Sequence, residues 1–142
     1  MQPAQIILVK SSFESVKPIA AQAAELFYRR LFEIAPNVKP LFRGDMAEQG
    51  RKLMATLAAV VGGLDQLDSV LPAASALAKR HVVYGVKPDD YASVGEALLW
   101  TLERGLGASW TAETAEAWAT AYGVLSHYMI REAYGQSTRA AE

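Results

Sequence analysis

The chain has 142 residues, 51% of them hydrophobic and 20% charged, enough for one domain with a buried core and unlike a disordered chain. Fourteen lysines and arginines stand against fifteen aspartates and glutamates with no basic face apparent, which argues against nucleic acid or an anionic membrane as a partner. Cysteine is absent, so disulfides, thiolate zinc sites, iron–sulfur clusters and cysteine nucleophiles are excluded together.

Helical periodicity dominates, and no segment shows sustained alternation with turn pairs. The N-terminal stretch "MQPAQIILVKSSFESVK" lacks the early basic residues and apolar core of a signal peptide. No apolar run approaches the ~18 residues of a membrane span. The expectation is a soluble cytoplasmic protein, a single domain over residues 1–142. The first stripe is Ile6, Val9, Phe13 and Val16, stopped near Pro18. The second is Ala20, Ala24, Phe27 and Leu31, running to Ala35. In "APNVKPLF", Pro36 suits the first turn of a short helix and Pro40 limits its length. After a loop at Gly44-Asp45 comes the stripe Leu53, Leu57, Val60 and Leu64, broken by Gly62-Gly63. Val70, Ala74, Leu77 and His81 form the next, which ends at Gly85. "KPDD" starts a helix carrying Tyr91, Val94, Leu98 and Leu102. The last helix starts at "SWTAE", where Thr111 can cap, and carries Trp118, Tyr122, Leu125 and Met129. The chain reads as six or seven unequal helices around one core.

Its two histidines differ in direction. At about 100° per residue, His81 lies about 40° from Leu77 and close to Ala74 and Val70, on the buried stripe. His127 lies about 180° from Trp118, on the solvent face. With one inward histidine and no cysteine, an all-protein metal site lacks ligands. His81 is then either a hydrogen-bonded core residue or a haem ligand, since a porphyrin supplies four ligands itself and needs one protein imidazole. Two further polar groups point inward. Gln49 lies about 40° from Leu53, and a buried amide without a partner costs about 1–3 kcal/mol. Tyr28 flanks the Ala24–Leu31 stripe, and its hydroxyl needs an acceptor. Either the two satisfy each other, or both donate to something bound between them.

The segments "LFYRRLF" (26–32), "PNVKPLF" (36–42), "QGRKLM" (49–54), "RHVVYGVKPDDY" (80–91), "VGEALL" (94–99) and "AWATAYGVL" (117–125), in this order, resemble the bacterial single-domain globins of the flavohaemoglobin lineage. The stand-alone type with a tyrosine–glutamine distal pair, the Hell's Gate globin type, is most similar. The resemblance implies an all-α globin fold, six to eight helices in a three-over-three sandwich around haem b (iron protoporphyrin IX). It implies that His81 is the iron ligand, that Phe42 packs on the haem face, and that Gln49 and Tyr28 are distal donors. Leu53, Leu57, Leu77, Val86 and Val94 match haem-lining positions, and Lys52 and Arg80 are candidates for the propionates. Tyr91 matches the tyrosine that supports the proximal histidine. Glu132 is the candidate for the accompanying glutamate, but falls one residue short of the family's spacing from Tyr122. That offset turns it by about 100° unless the helix is locally distorted.

The pocket so implied binds oxygen, carbon monoxide or nitric oxide, with tight oxygen binding because phenol and amide donors stabilise charge on the bound gas. Three function classes follow. An oxygen-binding or carrier globin needs only the pocket. A nitric oxide dioxygenase forming nitrate would also need a separate reductase, because "EAYGQSTRAAE" shows no start of one. A sensor would need an output domain.

Overall fold

A computed structural model describes residues 1–135. It contains six α-helices: α1 Pro3–Val16, α2 Ala20–Ile34, α3 Met46–Gly62, α4 Leu67–Tyr84, α5 Pro88–Leu106 and α6 Ala112–Ile130. Short 3₁₀ turns at Lys17–Ile19, Pro36–Leu41, Leu64–Gln66 and Gly107–Ser109 join them, and a π-helical turn, Arg131–Gly135, follows α6. Among the described residues there is no strand, and no single helix is long and apolar enough to cross a membrane.

The breaks fall where local chemistry dictates. Pro18 and Pro36 sit in the tight turns that follow α1 and α2, where a missing N–H costs nothing. The Asp45 carboxylate accepts the Ala47 N–H and starts α3, and the Thr111 hydroxyl accepts the Thr114 N–H and starts α6, each satisfying an orphan donor. The Asp90 carboxylate accepts the Lys87 N–H at 2.9 Å, closing the first turn of α5. Gly85 ends α4 at φ +97°, a left-handed conformation in which a side chain is strained. Its N–H donates to Val82 O, and that of Val86 donates to His81 O at 2.9 Å.

α1, α3 and α4 lie across α2, α5 and α6, with α2 packed on α5 and α3, α1 on α6, and α4 on α6. The apolar stripes meet in a main core of Val9, Phe13, Leu31, Ala97, Leu102 and Trp118, with their neighbours. Trp118 also donates its indole N–H to Ser12 Oγ at 2.8 Å, tying α6 to α1. A smaller cluster forms around Ala74, Ala78, Tyr91 and Met129. The two are separate, and the gap between them is where the inward histidine stands. α4 is weakly embedded: only Ala74 and Ala78 are buried, and Pro72 interrupts its ladder near the start.

Candidate cofactor site

A cleft enclosing about 130 Å³ lies between the two clusters. From α3 it is walled by Leu53 and Leu57, from α4 by His81, and from α5 by Tyr91, Val94 and Leu98, with Phe27, Val86 and the α6 residues Tyr122, Leu125, Ser126 and Met129 completing it. Phe27, Tyr91, Leu98 and Met129 are buried, whereas the other lining residues are only half-buried. The cleft is therefore open at its edge. It is an apolar surface that the protein's own side chains leave partly uncovered, with one imidazole on its wall.

His81 is held in a defined state. Its Nδ1 lies 2.7 Å from Leu77 O one turn earlier in α4. A carbonyl only accepts, so Nδ1 carries the hydrogen and Nε2 of the neutral ring keeps its lone pair. This is the way a metal-binding imidazole is oriented, by a carbonyl on the other nitrogen. Tyr91, on the next helix, sits with its ring centroid 6.1 Å from that of His81. Its hydroxyl is buried and has no hydrogen-bond partner among the described residues. Burial, reinforced by the neighbouring Tyr134, pushes its pKa up to about 12, so the group is a neutral, unused donor. The Tyr91–imidazole hydrogen bond that the resemblance implies is not formed in this arrangement, because Leu77 O takes Nδ1.

Three tyrosines shape this wall. The Tyr122 hydroxyl donates to Tyr91 O, and that of Tyr134, in the π turn, donates to Val86 O. Tyr122 reaches across α5 because Gly95 leaves room: a Cβ there would stand 2.6 Å from Tyr122 Cε2. Burial, with the neighbouring Tyr91, raises the Tyr122 pKa as well. Glu132 also lies in the π turn, and its carboxylate accepts from Ser75 Oγ at 2.9 Å. It therefore faces α4 but engages Ser75 rather than His81. The helix is locally distorted there, the condition under which the shorter spacing still turns Glu132 toward the histidine's helix.

Tyr28 and Gln49 lie beside the cleft, one layer behind its lining. The ring of Phe27, which lines the cleft, sits edge-on to that of Tyr28 at 5.1 Å. The Phe42 ring also sits edge-on to Tyr28, at 5.2 Å. The Tyr28 hydroxyl donates to the main-chain carbonyl of Gln49 at 3.2 Å, and burial raises its pKa to about 12, which keeps the proton on it. The Gln49 amide donates to Arg43 O at 3.3 Å. The hydroxyl thus uses the backbone of Gln49, and the amide turns to the loop before α3. Leu77 packs in the smaller cluster, and Lys52 and Arg80 are exposed. His127 is exposed, as its angle predicts. Sequence periodicity reads Phe27, Leu98, Tyr122, Leu125 and Met129 as core stripe positions; they do belong to the two clusters, and they also wall the cleft. Ser126 carries no signal in the sequence, and its hydroxyl bonds to Gly123 O within α6.

Two crossed layers of helices around a cleft with a single histidine on its wall define the globin class of fold. A globin family profile matches residues 25–129. The chain is 30% identical over 138 residues to a neuroglobin of Tetraodon nigroviridis, covering 87% of each. It is 32% identical over 133 residues to a flavohemoprotein of Bordetella parapertussis, covering 92% of this chain and 33% of that protein. The chain thus spans about a third of the length of that relative. The solved bacterial globin of Campylobacter jejuni superposes with a TM-score of 0.82 at 24% identity, covering 96% of this chain and 99% of that one. The chain belongs to the globin family.

The residues present fit the haem that this family implies. Among the described residues no three carboxylates or histidines converge to hold a metal ion, so a metal here must bring most of its own ligands, as iron in a porphyrin does. The chain contributes the rest: one imidazole whose Nδ1 is committed to Leu77 O, and half-exposed apolar walls.

Proposed function

We propose that this globin binds haem b with His81 as the protein ligand and holds oxygen reversibly beside it. The observation that carries the reading is the His81 Nδ1–Leu77 O bond at 2.7 Å on the wall of an apolar cleft. Bound haem supplies an iron that takes a diatomic gas at its open position. What the chain does around it follows from its own groups. Leu53, Leu57, Val94 and Leu98 exclude water, which strengthens any hydrogen bond made inside. Lys52 and Arg80 sit exposed on α3 and α4 and are our candidates for the propionates. Leu77, Val86 and Phe42 pack the faces.

Tyr28 is the principal distal donor in this reading, with Gln49 the second, as in the Hell's Gate globin type. A tyrosine has one hydroxyl hydrogen, now given to Gln49 O at 3.2 Å. Donation to a gas therefore means giving up that bond, a neutral one longer than the usual O–H···O range. The exchange favours oxygen, whose outer atom carries negative charge, because a bond to a charged acceptor is the stronger one.

A second reading is supported by the likeness to flavohemoproteins. Oxygen, nitric oxide and one electron combine to nitrate at the same site, and a separate reductase returns the electron. The two readings separate on turnover: sustained nitric oxide consumption with reductant supports the dioxygenase, and a single stoichiometric oxidation supports a carrier. The haem assignment itself is tested by His81→Gly. That variant should lose stable haem uptake and regain a five-coordinate spectrum on adding imidazole. Wild-type haem affinity in the variant without imidazole would remove His81 from the site.

A further inference from the structure

The C-terminal turn of α4 carries a surface that the gas site does not use. Val82, Val83 and Tyr84 follow His81 directly and are 41%, 82% and 61% exposed. Ile7 and Val124 are also exposed, but singly; three consecutive large apolar side chains left in water mark a contact surface. Lys79 and Lys87 flank them, and both are exposed. The turn before α3 abuts this corner, since a Cβ on Gly85 would lie 3.3 Å from Leu41 Cδ2. Lys39 and Arg43, two residues to either side of Leu41, are exposed.

None of these four cations has a carboxylate partner among the described residues; the ion pairs there use Lys10, Lys17, Arg29 and Arg30. The acids close in sequence are partly committed. Asp90 accepts from the Lys87 main chain and from the Asn37 amide, and Asp45 caps α3. Charge along the chain is uneven in the same sense. Residues 36–87 hold seven lysines and arginines and four acids, a net of +3, while residues 88–135 hold two and seven, a net of −5.

We propose that this corner docks an acidic one-electron donor protein, of the ferredoxin or small flavoprotein class. The partner's carboxylates meet Lys39, Arg43, Lys79 and Lys87, and an apolar spot on it covers Val83 and Tyr84. Such contacts combine charge steering with a small dry centre. Position decides against a lipid surface as the occupant: the patch lies on the histidine's own helical turn, so an electron delivered there arrives next to the metal ligand. The transfer balances as one electron, lost by the partner's reduced centre and gained by the oxidised haem iron, with no bond or proton moved. The inference rests on the haem reading above.

The test is stopped-flow reduction of the ferric holoprotein by reduced plant-type ferredoxin, the acidic probe, with dithionite as a small-molecule control. The second-order rate should fall about tenfold as salt rises from about 20 to about 200 mM, because screening removes the steering. The Lys79→Glu/Lys87→Glu variant should be about tenfold slower at low salt with a flat salt profile, and unchanged with dithionite. Val83→Ser/Tyr84→Ser should slow the ferredoxin reaction while keeping its salt dependence. Independently of turnover, backbone amides of residues 79–87 should shift on adding oxidised ferredoxin. Equal rates in wild type and the charge variant overturn the proposal. So does a variant that loses only binding to phosphatidylserine vesicles, or only a dimer seen by sedimentation, while its ferredoxin rate holds. If neither ferredoxin nor dithionite produces a ferrous spectrum, the haem reading fails, and the docking surface fails with it.

Discussion

Tyr28→Phe removes one oxygen atom from a site that otherwise keeps its shape. The ring is 8% exposed and boxed by Phe27, Phe32 and Phe42 at centroid distances of 5.1, 6.1 and 5.2 Å, so phenylalanine retains the packing. What is lost is a single donor. Its bond to a gas atom carrying negative charge is worth about 1.5–3 kcal/mol, and the neutral bond to Gln49 O that it must release is worth about 0.5–1.5 kcal/mol. The difference, about 1–1.5 kcal/mol taken end for end, corresponds to roughly 5- to 12-fold in a rate at 1.4 kcal/mol per tenfold. Oxygen release, followed in the haem-loaded protein by displacement with carbon monoxide, should speed up by that factor. Carbon monoxide release, followed by displacement with nitric oxide, should change much less, since bound carbon monoxide carries less charge. Folding stability should fall by no more than about 1 kcal/mol, because Gln49 O lies within α3 and keeps its place in the helical ladder. Oxygen release within twofold of wild type would refute the donor role and leave Tyr28 as a core tyrosine satisfied by Gln49.

Gly95→Ala should destabilise by about 1–3 kcal/mol in urea unfolding, since a Cβ would stand 2.6 Å from a Tyr122 ring tethered to Tyr91 O. Adding Tyr122→Leu should recover part of that loss, and an additive double variant would mean the clash is not the cause. Stability should fall as pH rises above about 10 and go on falling towards 12. Tyr28 and Tyr91 titrate near 12 in the folded chain and near 10 when unfolded, so the native state binds more protons in that window. The slope should be shallower in Tyr28→Phe, and a flat profile from pH 9 to 12 would contradict the assignment. Glu132→Gln should leave the iron–histidine stretching frequency of the haem-loaded protein unchanged, because its carboxylate is held by Ser75 and Leu77 O holds the imidazole. A marked fall in that frequency would show that Glu132 reaches His81 after all.

Much of the architecture is legible from one dimension. Spacing near 3.6 residues aims each side chain relative to its own helix axis, so the stripes of α1, α2, α5 and α6 and the opposite directions of His81 and His127 follow from counting. Caps and breaks are equally local. Thr111, Asp90, Pro18 and Gly85 act through groups within a few residues, and all four do so here. The order of the motif segments is enough to indicate the family. Angular position, however, does not name a partner on another helix. That Gly95 admits the Tyr122 ring, that Ser75 takes Glu132, and that the Gln49 amide turns to Arg43 while its carbonyl takes Tyr28 all depend on interhelical distances and rotamers. Residues such as Phe27, Leu98 and Met129 read as core from their stripes and are buried in it, but the stripes do not show that they also wall a cleft. A stripe records which way a residue faces; only the packing of six helices decides whether it meets a neighbour or a gap.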